Sequence, residues 1–280
     1  MNAAEKARIA REQAEKEKEI EKESLEEKRE LEAVKNQIYN IAGQKQWSTV
    51  SFGNYMNKTG KMPIEWLILD KCGDEITLVT KDLIDCHEFC EKICTSWKDS
   101  DIRTWLNDEF MNKAFSKNEQ KFLVSKTIDS DYGDTSDGKF VTTNDKVYLL
   151  SSKDFSDKKQ GSGIAKLFSK TAKDMLFDCK PTKYAESKGI VVDGNNKKRY
   201  CWWTRDMQTQ KQVKSYQGSR FVSVFNDPEA DCRGVVYAGS DLFVAFIESN
   251  VFNGTTRLPI INLRTYKSFG VRPVITLKID

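Results

Sequence analysis

Histidine is nearly absent from this chain, in which His87 is the single example among 280 residues. Serine and cysteine hydrolases commonly use a histidine as general base, so such a site would have to be built on His87. The neighbouring residues Glu88 and Phe89 match no such signature. Glycine-rich phosphate-binding motifs of the forms G-x-G-x-x-G and G-x-x-x-x-G-K-S/T are missing as well. The sequence therefore disfavours a histidine-dependent hydrolase and excludes the nucleotide sites that have a sequence signature.

Long apolar runs are missing too. No stretch approaches the roughly 18 consecutive apolar residues of a membrane span, and the opening MNAAEKARIAREQ lacks the apolar core of a secretory signal. We therefore expect a cytoplasmic protein, or a cell-surface or secreted one if the chain is a fragment of a longer exported protein. The seven cysteines form an odd set, which favours reduced thiols in the cytoplasm.

An excess of one charge is also lacking. The chain has 45 Lys and Arg against 42 Asp and Glu, which gives a net charge of +3. Charges so balanced and so interspersed do not form a surface that neutralises many phosphates. Nucleic acid is therefore not an expected partner.

The N-terminal region is rich in charge of both signs. Residues 5–35 contain nine Lys or Arg, eleven Glu and neither Gly nor Pro. These strong helix formers predict one continuous, solvent-exposed helix that ends at Gly43. We divide the chain into a charged helical segment, residues 1–45, and one globular domain, residues 46–280.

Apolar residues become regular only near the end of this helix. Leu31, Val34, Ile38 and Ile41 follow a 3-4-3 spacing, which is a heptad pattern of about one and a half repeats. Two interpretations stay open for residues 1–45. They form either a solvated stalk or a short coiled coil through which the protein associates with itself.

Beyond Trp47 the hydrophobic period changes from that of a helix to that of short strands. The first three strands should form an antiparallel meander, followed by two short helices, one capped by Ser100 and one by a Ser116/Glu119 capping box. An amphipathic helix is expected at 164–177. The predicted strands are TVSFG (49–53), PIEWLILD (63–70), DEITLVTK (74–81), KVYLLS (146–151), YCWWTR (200–205), RFVSVF (220–225), GVVYAG (234–239), DLFVAFIES (241–249) and GVRPVITLKI (270–279). Because strands dominate both ends and helices cluster between them, the predicted fold class is α+β.

Eight stretches in order carry a resemblance that covers nearly all of residues 47–280. They are FGNY (52–55), PIEWLILD (63–70), LIDC (83–86), IRTWLNDEFMNKAF (102–115), TTNDKVYLLS (142–151), CKPTKYA (179–185), CWWTRD (201–206) and GVRPVITL (270–277). Together they resemble a bacterial family of domains of unknown function. That family is similar to the C-type-lectin-like fold of the formylglycine-generating enzymes and of the variable proteins of diversity-generating retroelements. The resemblance implies a domain of short, mostly antiparallel strands with interspersed helices, which closes by bringing its first strands against its final Gly-Val-Arg-Pro strand.

The same resemblance implies a function. We expect a non-enzymatic recognition module that presents loops to a protein or glycan ligand and needs no cofactor. One alternative is a cysteine- or metal-assisted oxidoreductase of the formylglycine-generating type, in which Cys201 and Cys232 would be the cysteines to test. A second alternative is a structural subunit assembled through the N-terminal helix.

CWWTRD (201–206) allows two interpretations. Alternation along a strand sends one tryptophan ring into the core and the other to the opposite face. The tryptophans and Arg205 are therefore either core residues, with the arginine bonded to carbonyls or a carboxylate, or a ligand-binding wall. Aromatic and arginine side chains dominate binding hot spots, and further ones follow in later loops. The candidate ligand-binding residues are Trp203, Arg205, Tyr216, Arg220, Phe252, Arg257 and Tyr266.

Two acidic segments, DSDYGDTSDG (129–138) and FNDPEAD (225–231), offer the oxygen ligands that calcium prefers. Neither has EF-hand spacing, and the Glu-Pro-Asn and Trp-Asn-Asp motifs of calcium-dependent lectins are absent. The first segment is more typical of a solvent-exposed, turn-rich loop than of a calcium site. The calcium candidates are Asp129, Asp131, Asp134, Asp227 and Glu229.

Overall fold

The computed structural model describes residues 2–57, 60–89, 96–131, 140–151, 179–190, 200–207, 220–227, 232–239, 247–248 and 269–279. Within these residues the helices are α1 (Ala3–Gly43), α2 (Asp101–Trp105), a π-helical turn (Leu106–Phe110), α3 (Met111–Ala114), α4 (Lys117–Gln120) and α5 (Lys183–Ser187). The strands are β1 (Thr49–Asn57), β2 (Gly60–Cys72), β3 (Glu75–Thr80), β4 (Asp85–Cys86), β5 (Lys126–Asp131), β6 (Phe140–Asp145), β7 (Val147–Tyr148), β8 (Tyr200–Met207), β9 (Arg220–Asp227), β10 (Cys232–Gly239), β11 (Ile247–Glu248), β12 (Gly270–Val271) and β13 (Val274–Lys278). A long helix followed by mostly antiparallel strands and a few short helices confirms the α+β class.

The charged N-terminal region folds as predicted into one helix, α1, of 41 residues. Asn2 caps the first turn, because its Oδ1 accepts the Glu5 backbone N–H at 2.9 Å. Every described side chain before Leu31 is exposed, including Ile20 at 64% and Leu25 at 50%. None of the described helices is both long and apolar enough to cross a membrane.

The last turns of α1 pack on the globular domain. Ile38 and Ile41 are 2% and 3% exposed, and Leu31 and Val34 pack against the same core. The apolar face with 3-4-3 spacing therefore contacts this chain's own domain. Self-association through residues 1–45 stays a prediction, and it would have to use another face of the helix.

The first sheet has the strand order β1-β2-β3-β13-β7, and every neighbouring pair is antiparallel. β1 to β3 form the predicted meander. Its centre is fully buried, with Ile68, Leu78 and Ile275 each at 0% exposure. Because β13 pairs with β3, the last described strand closes the sheet onto the first three.

The second sheet has the order β11-β10-β9-β8-β12-β4. Its pairs are antiparallel except β8 with β12. Of β9, β10 and β11 only the backbone is described. The strands expected at YCWWTR, RFVSVF and GVVYAG are thus confirmed, as is the described part of DLFVAFIES, residues 247–248, which forms β11. KVYLLS is a strand only in β7. The helix expected at 164–177 lies outside the described residues.

A separate hairpin, β5 paired with β6, was not predicted. It corrects the solvent-loop interpretation for residues 129–131, which belong to β5, whereas residues 132–138 lie outside the described residues. Side-chain hydrogen bonds between β5 and β6 stabilise this strand pair. The Thr142 hydroxyl donates to Asp129 Oδ1 at 2.9 Å, so an acidic residue typical of turns is held within a strand pair.

The helices between the sheets begin at the predicted caps. Ser100 Oγ accepts the Arg103 backbone N–H, and Ser116 with Glu119 forms the complete capping box. The Asp145 carboxylate, 1% exposed, holds α2 to β6. It accepts Trp97 Nε1 at 2.9 Å, Arg103 Nε at 2.8 Å and Nη2 at 2.7 Å, and the Thr143 hydroxyl at 2.6 Å. We call Trp97, Arg103, Thr143 and Asp145 the Asp145 cluster.

The chain passes between the two sheets at two neighbouring places, 81–84 after β3 and Arg272–Pro273 before β13. Arg272 is fully buried, and it donates from Nε to the Thr80 carbonyl at 2.7 Å and from Nη2 to the Lys81 carbonyl at 3.2 Å. Burial lowers the pKa of this guanidinium. Arg272 thus joins the two crossings, and GVRPVITLKI is two strands, β12 and β13, rather than the predicted single strand.

Candidate ligand cleft

An open cleft lies where the β1–β2 hairpin extends beyond the end of β3. β3 pairs with β2 only as far as Trp66, whereas the hairpin continues to Asn57 and Gly60. After β3 the chain turns away toward the second sheet. The hairpin therefore forms one wall of the cleft, and the other wall is formed by Asp82, Ile84 and the N-cap residue of α5, Thr182.

The cleft has a volume of about 390 Å³, which is within the range of roughly 300–1,000 Å³ for small-molecule sites. Met56 and Met62 line it and are 39% and 48% exposed. Their flexible thioether side chains can adapt to the shape of a ligand. The apolar lining residues are Tyr55, Met56, Met62, Pro63, Ile64 and Ile84.

Of the described residues that line the cleft, the charged ones are two carboxylates, Glu65 and Asp82. Each is oriented by a neighbour: Lys81 Nζ donates to Glu65 Oε2 at 2.9 Å, and the Lys180 backbone N–H donates to Asp82 Oδ1 at 3.1 Å. The hydrogen bond to Glu65 raises the pKa of Lys81. The uncharged polar lining residues are Ser51, Asn57 and Thr182.

The edge of β2 beside the cleft is poorly suited to pairing with a further strand. Its last bond to the chain after β3 is at Glu65, whose carbonyl accepts the Lys81 N–H at 2.9 Å. Pro63 follows toward the tip and has no N–H to donate. Proline on a sheet edge hinders strand addition. The cleft therefore suits a ligand held by side chains.

A buried polar cluster lies behind the cleft and joins β1, β4 and the end of α5. The Asp85 carboxylate is its centre: Oδ2 accepts the Tyr55 hydroxyl at 2.6 Å, and Oδ1 accepts Lys188 Nζ and the Cys86 backbone N–H, both at 2.7 Å. Asp85 is 0% exposed. We call Tyr55, Asp85, Cys86 and Lys188 the Asp85 cluster. It fixes the wall of the cleft that Tyr55 contributes.

A bulge in β1 sets the position of Tyr55. The register with β2 shifts between Ser51 and Asn54, and Gly53 within the bulge has a φ of 67°. Residues with a Cβ rarely adopt this conformation. A Cβ on Gly53 would also lie 2.6 Å from the Phe115 ring. Glycine is therefore required here for the strand to bring Tyr55 to Asp85.

The ionisable groups of the Asp85 cluster are held in their neutral or paired forms. Burial, and secondarily the Asp85 charge, raises the pKa of the Cys86 thiol to about 12 and raises the pKa of the Tyr55 hydroxyl far above 10.0. Burial alone would lower the pKa of Lys188, but its hydrogen bond to Asp85, the charge of that carboxylate and the interaction with Tyr184 together outweigh this, and the pKa is raised. At neutral pH the thiol and the phenol are protonated and the ammonium is charged.

CWWTRD lies mainly in the core. Trp202 is 0% and Trp203 4% exposed, and Trp203 Nε1 donates to the His87 carbonyl at 2.8 Å. Arg205 Nη1 donates to the Leu149 carbonyl at 2.7 Å. These contacts favour the core interpretation over a ligand-binding wall made by the two rings.

The other predicted ligand-binding residues were expected in loops after β8. Arg220 belongs to β9, where the backbone alone is described, and Tyr216, Phe252, Arg257 and Tyr266 lie outside the described residues. Where these side chains lie relative to the cleft is therefore outside the described structure, and their role stays a prediction.

Of the calcium candidates, Asp129 is exposed on β5, and Asp131 and Asp227 are described by their backbone alone. Asp134 and Glu229 lie outside the described residues. Across the part of the chain that the structure describes, no three His, Cys, Asp or Glu side chains come together as a possible metal site.

The residues of the cleft and of the Asp85 cluster were not selected from the sequence as site residues. Tyr55 and Asp85 are 30 positions apart, so no local pattern connects them. One signal existed. FGNY, LIDC and CKPTKYA carry the resemblance, and the structure brings them together, since Tyr55 bonds Asp85 and the Cys86 thiol donates to the Ala185 carbonyl at 3.5 Å.

Comparison with known proteins agrees with the coarser part of the resemblance. No curated protein and no solved structure matches the chain. The family described as "Domain of unknown function (DUF6273)" matches residues 74–279, which is more than half of the chain. The match begins just before β3 and includes both crossings between the sheets. This chain therefore belongs to the DUF6273 family.

Proposed function

We propose that this protein is a non-enzymatic recognition module that binds its ligand in the cleft between the β1–β2 hairpin and the chain after β3. The observation that carries the proposal is the cleft itself: an open cavity of about 390 Å³ with two exposed methionines in its wall. Exposed, flexible apolar side chains in a concave surface are typical of binding sites rather than of a solvated face.

The chemistry behind the cleft supports binding rather than catalysis. A general base or nucleophile works best with a pKa near the working pH. The raised pKa values of Tyr55 and Cys86 keep both groups protonated, and Lys188 is held as a charged partner of Asp85. These groups stabilise the wall of the cleft and supply no poised base.

We also propose that the domain is a distant relative of the C-type-lectin-like fold. The closing of β13 onto the early strand β3 supports this, because joining the two ends of the domain in one sheet was the expectation drawn from the resemblance. An experimental structure with a three-dimensional similarity to that fold is the test. If residues 200–269 have a strand order that differs from that of the C-type-lectin-like fold, the relationship is rejected. The binding proposal for the cleft does not depend on this result.

The binding proposal can be tested by NMR on the full chain with labelled methionine methyl groups. Met56 and Met62 report on the cleft, whereas Met111 packs partly buried against the core and serves as an internal control. With a chemically diverse fragment library as the probe, binders should shift Met56 and Met62 and leave Met111 unchanged. The variants Met56→Leu and Met62→Leu assign the signals.

If binders shift other methyl groups and leave both cleft methionines unchanged, the binding site lies elsewhere. Turnover of any binder would contradict the non-enzymatic part of the proposal. Both results are read in the same samples.

A further inference from the structure

The charge pattern of the cleft indicates which ligands it can hold. Resting on the proposed binding function, we infer that the cleft binds a cationic group attached to an apolar chain, the chemistry of a lysine or arginine side chain or of a free alkyl amine. Among the described residues, the cleft combines two carboxylates with an apolar wall, and none of the described lining residues is Lys, Arg or His.

Asp82 is the principal anchor for the cation. The Lys180 backbone N–H holds its Oδ1 at 3.1 Å, so the carboxylate is oriented before a ligand arrives. A pre-oriented acceptor forms a charge-assisted hydrogen bond at a smaller entropic cost. Asp82 thus provides one fixed negative position on the wall opposite the hairpin.

Glu65 is a second acceptor that already has a cationic partner. Lys81 Nζ lies 2.9 Å from Glu65 Oε2, and both side chains are about half exposed, at 42% and 51%. An exposed pair of this kind is weak and exchanges partners readily. The internal Lys81–Glu65 pair therefore shows the kind of contact that a ligand ammonium would make in the same cleft.

The apolar wall of the cleft would contact the apolar chain of the ligand. Met56 and Met62 come from the two strands of the hairpin and offer unbranched, flexible side chains. The methylene groups of a lysine, an arginine or an alkyl amine pack on such surfaces while the charge reaches the rim. Pro63 hinders strand addition, so a peptide ligand would contact the cleft through a side chain rather than extend the sheet.

The same arrangement disfavours anionic ligands, although Lys81 partly offsets the charge of Glu65. A phosphate or carboxylate placed in the cleft would face Asp82, and like charges at short range in a partly desolvated site repel each other. Nucleotides, phosphopeptides and sulfated sugars are thus poor candidates.

The test uses the full chain and matched probes. The probes are N-acetylated, C-amidated hexapeptides of sequence Ala-Leu-Xaa-Leu-Ala-Gly with Lys, Arg, norleucine or Glu at Xaa, and the free amines cadaverine and spermidine. Affinity is measured by calorimetry, and the site is identified by the Met56 and Met62 methyl shifts. The Lys and Arg peptides should bind about 10-fold more tightly than the norleucine peptide, and the Glu peptide should bind least.

The variant Asp82→Asn should remove most of the preference for Lys over norleucine and leave norleucine binding unchanged. The control is Asp74→Asn, which removes the same charge from a residue outside the cleft that pairs with Lys278 at 3.8 Å, and it should change nothing. If the free amines shift the methionine methyls as strongly as the peptides, the natural ligand is a small amine. If only the peptides do so, it is a protein side chain.

Equal binding of the Lys, norleucine and Glu peptides at the cleft methionines would overturn the cationic inference while leaving the binding function intact. The inference would also fail if fragments shifted Met56 and Met62 but none of the cationic probes did. If neither fragments nor probes ever shift these two methyl groups, the binding function itself fails.

Discussion

Charged side chains are solvated on the outer part of α1, residues 3–30, whereas several in the globular domain are buried and hydrogen-bonded. On the outer helix, charges of both signs are solvated, and the ion pair between Arg8 and Glu12 spans 3.9 Å with both side chains more than half exposed. In the domain, Asp85, Asp145 and Arg272 are 0%, 1% and 0% exposed, and each makes several short hydrogen bonds. A solvated charge needs no partner, whereas a buried one persists only when its hydrogen-bonding atoms are paired.

The largest effect is expected from breaking a buried cluster. Asp145→Ala leaves Arg103 and the buried Trp97 N–H without their acceptor, which should lower the free energy of unfolding by about 3–5 kcal/mol. Asp108→Ala, at an exposed position of the π-helical turn, is the matched control and should cost less than about 0.5 kcal/mol. Urea denaturation measures both. Equal losses would show that burial does not separate the two kinds of charge.

The second largest effect concerns the two parts of α1 itself. Ile38→Ala removes a side chain that is 2% exposed in the core and should cost about 2–4 kcal/mol. Ile20→Ala, at 64% exposure, should leave the denaturation midpoint unchanged. A comparable loss at Ile20 would mean that the outer helix is packed against something in solution, which sedimentation would reveal as self-association.

A smaller and pH-dependent effect is expected from the Asp85 cluster. The Cys86 pKa is 9.0 in the unfolded chain and about 12 in the folded one. Between these values the unfolded chain releases a proton that the folded chain keeps, so stability is complete below pH 9 and falls as the pH rises, by about 1.4 kcal/mol per pH unit for each such group.

Tyr55 adds a loss of the same sign above pH 10.0 because its pKa is also raised. Cys86→Ala should therefore flatten the decline between pH 9 and 10, and Tyr55→Phe should flatten it above pH 10. Unfolding measured at pH 8.0, 9.5 and 10.5 resolves the two cases, and a stability independent of pH in this range would contradict the assignment.

The smallest effect is expected at the surface pair of the outer helix. Arg8→Ala should leave the unfolding of the domain unchanged and alter the helical circular dichroism only slightly, since exposed pairs at i and i+4 contribute about 0.3–0.5 kcal/mol at most. A measurable shift of the domain midpoint would mean that the outer helix and the domain unfold together.

The parts of the fold that depend on local chemistry could be predicted. α1 follows from composition, the β1–β3 meander from alternation, and the starts of α2 and α4 from the Ser100 and Ser116 caps. β4 could not be predicted, because a strand of two residues exists only through its pairing with β12. The break in GVRPVITLKI was missed for a related reason, since Arg272 bonds carbonyls 192 and 191 positions away.

The residues of the cleft and of the Asp85 cluster could not be recognised as a site from the sequence. The cleft exists because the β1–β2 hairpin is longer than β3, and sequence patterns locate strand ends only approximately. The Asp85 cluster depends on contacts between distant segments, and nothing local distinguishes Asp85 from the many exposed aspartates. The apolar face of α1 was recognised, but its spacing does not reveal whether its partner is a second helix or the chain's own domain.

The pairing of β13 with β3 has a consequence for biosynthesis. Until residues 270–278 have left the ribosome, β3 keeps one side unpaired and the carbonyls of Thr80 and Lys81 lack the Arg272 guanidinium. Closure of this sheet is therefore expected to be slow, because contacts between distant segments carry a large loop-closure cost. A chain that stops short of Gly270 would present an open sheet edge, and it should be a substrate for chaperones and prone to aggregate.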